Sequence, residues 1–105
     1  MQTMVQNFMR GCPQPMSIET CMLDIASELG ELAKEVNIAT SWSRYDDYKF
    51  RKNAKTELGQ VAFTVLQLAT LLDIDVESAL EEVITEFRER YRKQGHTGSA
   101  EYIVP

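Results

Sequence analysis

The chain has few of the residues that build soft-metal sites. It holds two cysteines, Cys12 and Cys21, and one histidine, His96. A zinc site takes about four nitrogen or sulfur ligands at close spacing, so zinc chemistry is excluded. The cysteines read as free thiols of a reducing compartment, with a bridge between them as the alternative. Positive charge is also scarce, with 11 Lys and Arg against 16 Asp and Glu and a formal net charge of -5. General nucleic-acid binders meet the phosphate backbone with clustered Lys and Arg, so no nucleic acid is expected as a partner. A phosphorylated ligand would have to bring a cation with it. No apolar run approaches the ~20 residues that span a bilayer, and residues 1–10 lack the basic start and long apolar block of a secretory signal. These absences imply no membrane partner and a cytoplasmic address. Three prolines and five glycines are too few for a linker-rich chain, and no stretch alternates as a half-buried strand does.

What the sequence does carry is helical period. With 105 residues, 44% of them hydrophobic, it can bury a real core as one domain, 1–105. Cys12-Pro13-Gln14-Pro15 sets off a short amphipathic segment, 1–16. Over 17–40, Ile18, Met22, Ile25, Leu29, Leu32, Val36 and Ala39 recur in steps of three and four, which predicts an amphipathic helix with Ser17 as its N-cap. Thr40 to Tyr48 has no clear period and reads as a loop, with a turn of helix as the alternative. Helical period resumes over 49–72 through Ala54, Leu58, Val61, Val65, Leu68 and Leu72, with Phe63, Leu66 and Leu71 widening the apolar arc. A helix apolar on more than one side has more than one neighbour, which implies oligomerisation. Asp75 is placed to cap a third long helix, 75–94, whose last turns are basic and whose stop is Gly95, with 95–105 as a tail. The expected fold is an all-α antiparallel helical bundle, completed by homo-oligomerisation.

The acids are not spread evenly. At ~100° per residue, Asp24, Glu31 and Glu35 fall within ~60° of Glu28. Such a stripe repels itself by a few tenths of a kcal/mol per adjacent pair, and only Lys34 stands near enough to dilute it. It flanks the apolar seam, as does a second polar edge of Asn53, Glu57, Gln60 and Thr64. Packed edge to edge, Glu28, Glu31, Glu57 and Gln60 converge. An all-oxygen set suits a hard divalent cation such as Mg²⁺, which is held by a few carboxylates with waters and phosphates completing its shell.

The pair Glu28-x-x-Glu31 and Glu57-x-x-Gln60 resembles the MazG-like family of all-α nucleoside triphosphate pyrophosphohydrolases, whose pattern is E-x-x-E followed by E-x-x-D. Glu28-Leu29-Gly30-Glu31-Leu32-Ala33-Lys34-Glu35 and Glu57-Leu58-Gly59-Gln60-Val61 are similar to the family's two motif helices. Leu72-Asp73-Ile74-Asp75-Val76-Glu77 and Lys93-Gln94-Gly95-His96-Thr97-Gly98-Ser99 resemble the third helix and tail of its small members, so the resemblance covers about 17–99. It implies cleavage of a nucleoside triphosphate to the monophosphate and pyrophosphate, with Mg²⁺, or Mn²⁺, on Glu28, Glu31, Glu57 and Gln60. A spare carboxylate, Glu31 or Glu35, would take the proton from the attacking water.

Lys34, Lys49, Arg51 and Lys52 are candidate phosphate contacts, and Asn53 joins them as a candidate substrate residue. Trp42, Tyr45, Tyr48 and Phe50 interleave with these cations and with Arg44, so the segment could close over a nucleotide, with Trp42 the best ring to stack on a base. Ordinary packing explains the same rings. Met1, Met4, Met9, Met16 and Met22 suggest an apolar patch against a partner subunit, in a homodimer or homotetramer. Gln60 departs from the family's acid and supplies a weaker, neutral oxygen. Two further readings stay open on that account: a non-catalytic nucleotide-binding relative, and a helical interaction module whose acidic stripe is a solvated edge.

Overall fold

A computed structural model describes residues 1–13, 16–42 and 48–98, the side chains of 39–42 and 48 excepted. The described residues form α1 (Gln2–Gly11), α2 (Ile18–Trp42), α3 (Tyr48–Leu71) and α4 (Val76–Gln94), with no strand among them. The all-α expectation holds. The chain divides into two compact units, Met1–Asp73 and Ile74–Pro105.

In the first unit α2 starts as its sequence dictates. Ser17 Oγ accepts the Thr20 N–H at 3.0 Å, and Glu19 lies in the first turn, where the helix dipole favours an acid. The far end differs from expectation, because α2 runs on to Trp42 and α3 begins at Tyr48, so part of the supposed loop is helical. Apolar period is lost after Ala39, but no Gly or Pro stands there to break the backbone, and loss of period alone does not end a helix. Arg44 and Tyr45, expected in that loop, lie outside the described residues, as do the rings of Trp42 and Tyr48.

α3 is the central helix and packs against both α1 and α2. It contributes Thr64, Leu66, Gln67 and Ala69 to the core, against Cys21 from α2 and Val5 from α1. The buried hydroxyl of Thr64 is satisfied within its own helix by Gln60 O at 3.0 Å and Val61 O at 2.9 Å. The Cys21 thiol donates to Thr64 O at 3.4 Å and more weakly to Gln67 Oε1 at 3.7 Å. Seven residues further along α2, Glu28 meets Gln60 and Glu57, seven to ten residues back along α3. Numbers rise on one helix as they fall on the other, so α2 and α3 are antiparallel. Part of the wide apolar arc of α3 is covered by α1 of the same chain, with Phe8 and Phe63 edge to face at 5.6 Å. One of the neighbours that the arc implied is therefore internal.

The helix gives way at Asp73, whose φ of 56° is a left-handed turn that Asp tolerates better than most residues. In the second unit Asp75 caps α4 as expected, accepting the Glu77 N–H at 3.1 Å and the Ser78 hydroxyl at 3.2 Å. Gly95 ends it at φ 77°, its N–H on Tyr91 O at 2.8 Å. The first residues of the tail fold back on the helix, since Arg90 donates to Thr97 O at 3.3 Å and Gln94 to Gly98 O at 2.6 Å. His96 is half-buried there, with Nε2 unpaired among the described residues.

Candidate functional site

The two polar edges do meet across the antiparallel pair. Glu28 on α2 and Glu57 on α3 are both half-buried and close enough for a proton on Glu57 to be shared with Glu28. Gln60, one turn beyond Glu57, brings the end of its amide to 2.8 Å from Glu28 Oε2 and 3.1 Å from Glu57 Oε2, and with its nitrogen turned to them it would donate to both. A neutral donor between two acids does part of what a cation would do there, because it lowers the repulsion of paired carboxylates.

The Glu57 carboxyl is pushed above its usual range. Desolvation is the main cause, followed by the hydrogen bond to Glu28 and the negative charges of Glu28, Glu31 and Glu35. Glu31 and Glu35 thus stand within electrostatic reach of Glu57 rather than in contact with it. No group of three or more His, Cys, Asp or Glu among the described residues is close enough to enclose a metal ion. The donor set is nevertheless suited to Mg²⁺, which is usually carried by one or two carboxylates with phosphates and waters in the remaining positions. Two converging carboxylates meet that requirement, and a rotated Gln60 amide would add a third oxygen.

The remaining candidates spread toward one end of the pair. Continuing the antiparallel register by seven residues sets Glu35 level with Phe50 and Asn53, and Lys34 level with Arg51. Lys34, Lys49, Arg51 and Lys52 are exposed and Asn53 is half-buried. No salt bridge among the described residues joins these cations to the carboxylates. The backbone of Trp42 ends α2 at that same end, while its ring lies outside the described set.

In the other direction, one turn from Glu28 and Gln60, lies a cleft of about 360 Å³ that sequence reasoning missed. Asp24 of α2 and Thr64 and Gln67 of α3 form its polar side, and Phe8, Met9 and Phe63 are among its apolar walls. Met9 and Met16 line this cleft, whereas Met1 and Met4 are exposed. One signal could have found it. Gln67 extends the edge Asn53, Glu57, Gln60, Thr64 by a further three-residue step.

Among the described residues the first unit is all-α, and its α2 and α3 face each other through half-buried carboxylates. The chain belongs to the MazG nucleotide pyrophosphohydrolase domain family, whose model matches residues 16–95. It is also similar to YpjD of Bacillus subtilis (strain 168), described as an uncharacterized protein, with 33% identity over 86 residues, or 82% of this chain and 75% of that one. No solved structure matches the chain.

Proposed function

We propose that the chain is a Mg²⁺-dependent nucleoside triphosphate pyrophosphohydrolase that releases a nucleoside monophosphate and pyrophosphate. The observation that supports this reading is the convergence of Glu28, Glu57 and Gln60 on one point of the α2–α3 seam, in a chain of this family. Glu28 and Glu57 would hold the cation, with Mn²⁺ as a substitute and Gln60 turning its amide to offer oxygen. Bound there, the cation would neutralise phosphate charge and lower the pKa of a coordinated water. Glu31 stands one turn from Glu28 and Glu35 one turn further, close enough for their charges to act on Glu57, so either can accept the proton of the attacking water. Lys34, Lys49, Arg51, Lys52 and Asn53 lie at one end of the seam, where they would meet the phosphate tail, and Trp42 is the remaining candidate contact at that end. No helix among the described residues is long and apolar enough to cross a membrane, in keeping with a cytoplasmic enzyme.

A homodimer or homotetramer is part of the same reading. Met22, Leu29 and Val36 on α2, and Leu58 and Val65 on α3 with Leu72 just past its end, each repeat at seven residues and are 37–55% exposed. Apolar stripes of that period are what a second helix pair packs against.

Pyrophosphate release from a panel of ribo- and deoxyribonucleoside triphosphates with Mg²⁺ tests the activity. Glu57→Gln should abolish release, and release that survives this substitution would place the chemistry elsewhere. A neutral amide at Gln60 that can donate to both acids favours one second reading, a nucleotide-binding relative that does not cleave. Metal-dependent binding without release selects that reading, and no response to Mg²⁺ leaves a helical interaction module.

A further inference from the structure

α4 carries an exposed apolar stripe. No residue of the helix is buried, and Leu80, Val83, Ile84, Phe87 and Tyr91 are 39–63% exposed. With half-buried Val76 they fall within an arc of ~100°, so one face of the helix is apolar over ~22 Å. An amphipathic helix of this length is marginal alone in water and takes its stability from what covers that face.

The stripe has a symmetry of its own. From Val76 to Tyr91 its steps are four, three, one, three and four residues, the same in both directions. Reversing the helix about the midpoint of Val83 and Ile84 sets Val76 on Tyr91, Leu80 on Phe87 and Val83 on Ile84. A second α4 laid antiparallel therefore meets apolar residues with apolar residues along the whole face, as a twofold interface requires.

Charge follows the same symmetry. Glu86 pairs with Arg90, and Glu89 with Arg92 and Lys93, within the helix. Glu77, Glu81 and Arg88 are exposed and join no salt bridge among the described residues. They lie ~20°, ~60° and ~40° beyond Ile84, on one edge of the stripe. In a twofold antiparallel pair that edge meets itself reversed, so Arg88 comes level with Ala79 of the second copy, midway between its Glu77 and Glu81. A cation there relieves the repulsion of two acids spaced i and i+4. A parallel pair would set acidic half beside acidic half and do the opposite.

We propose that α4 is a self-association surface: a second copy of this chain packs its own α4 antiparallel on it, about a twofold axis at Val83 and Ile84, with Arg88 of each copy between Glu77 and Glu81 of the other. The pairing rests neither on the nucleotide reading nor on the stripes of α2 and α3. Where those stripes also pair, two different twofold interfaces on one chain close a tetramer.

Cysteine pairs test the geometry in the full chain carrying Cys12→Ser, Cys21 being buried. Positions 81 and 88 stand ~10 Å apart along one helix, beyond the reach of a disulfide, so Glu81→Cys with Arg88→Cys can close only between copies. In the antiparallel pair, position 81 of one copy is ~3 Å in level from position 88 of the other, whereas like positions are ~7 Å and ~13 Å apart in level. Under mild oxidation the double variant should run as a covalent dimer on a non-reducing gel, and each single variant as a monomer. Single variants that cross-link as fully as the double, or a double variant that stays monomeric, would overturn the pairing. Charge reversal gives a second readout by sedimentation. Arg88→Glu should weaken the pairing about tenfold or more, as should Glu77→Lys with Glu81→Lys, and an equimolar mixture of the two chains should regain it. A mixture that associates no more tightly than its components would overturn the proposal as well.

Discussion

Gln60 shows how one atom type changes what a position does. The family's acid at this place would add a third negative charge to Glu28 and Glu57, whereas a neutral amide can donate to both. Gln60→Asp should therefore strengthen Mg²⁺ binding and raise Mg²⁺-dependent turnover, by about tenfold if the new anion is worth one charge-assisted contact. Steady-state rates across a Mg²⁺ titration measure this, and an unchanged or lower rate would mean that the amide is no handicap. Glu57 makes a second residue-scale prediction. Its carboxyl is raised by desolvation, by the hydrogen bond to Glu28 and by neighbouring acids, so the folded chain holds this proton more tightly than the unfolded chain. The contribution to stability is present below the ordinary glutamate range and is lost as pH rises through the folded value. In EDTA, the unsubstituted chain should lose melting temperature relative to Glu57→Gln as pH is raised across that window. Parallel melting curves for the two would remove the cause assigned to the shift.

Helix ends were the most legible elements. Ser17, Asp75 and Gly95 each do locally what their residue types favour, because a cap is satisfied within three or four residues of its own position. Ser17→Ala removes the acceptor of the Thr20 N–H and should cost about 1 kcal/mol. For a unit of this size that is a fall of ~4–8 °C in the midpoint, read by circular dichroism, with Ser17→Asp restoring it. Equal midpoints for Ser17→Ala and the unsubstituted chain would show that the cap carries no stability. The stop of α2 was not legible, since Thr40, Ser41 and Trp42 carry neither a cap nor a breaker, and side chains of this kind neither favour nor forbid helix strongly.

At the scale of the whole molecule, the six seven-spaced apolar residues of the α2 and α3 stripes predict self-association. Sedimentation equilibrium should return the mass of a dimer or tetramer, and Leu58→Glu combined with Val65→Glu should shift it toward the monomer, since two buried charges cannot be solvated in such a seam. A monomer mass for the unsubstituted chain at tens of micromolar would count against the stripes as an interface. By itself the sequence determined the all-α class, the bounds of the long helices to within a few residues and the acidic and polar edges, because helical period and capping are short-range properties. It did not disclose that Gln60 brings its amide against Glu28 and Glu57, that α1 covers Phe63, or that Asp24, Thr64 and Gln67 wall a cleft. Those depend on residues 32 to 55 positions apart coming together, which only the antiparallel packing of α2 on α3, with α1 laid against α3, decides.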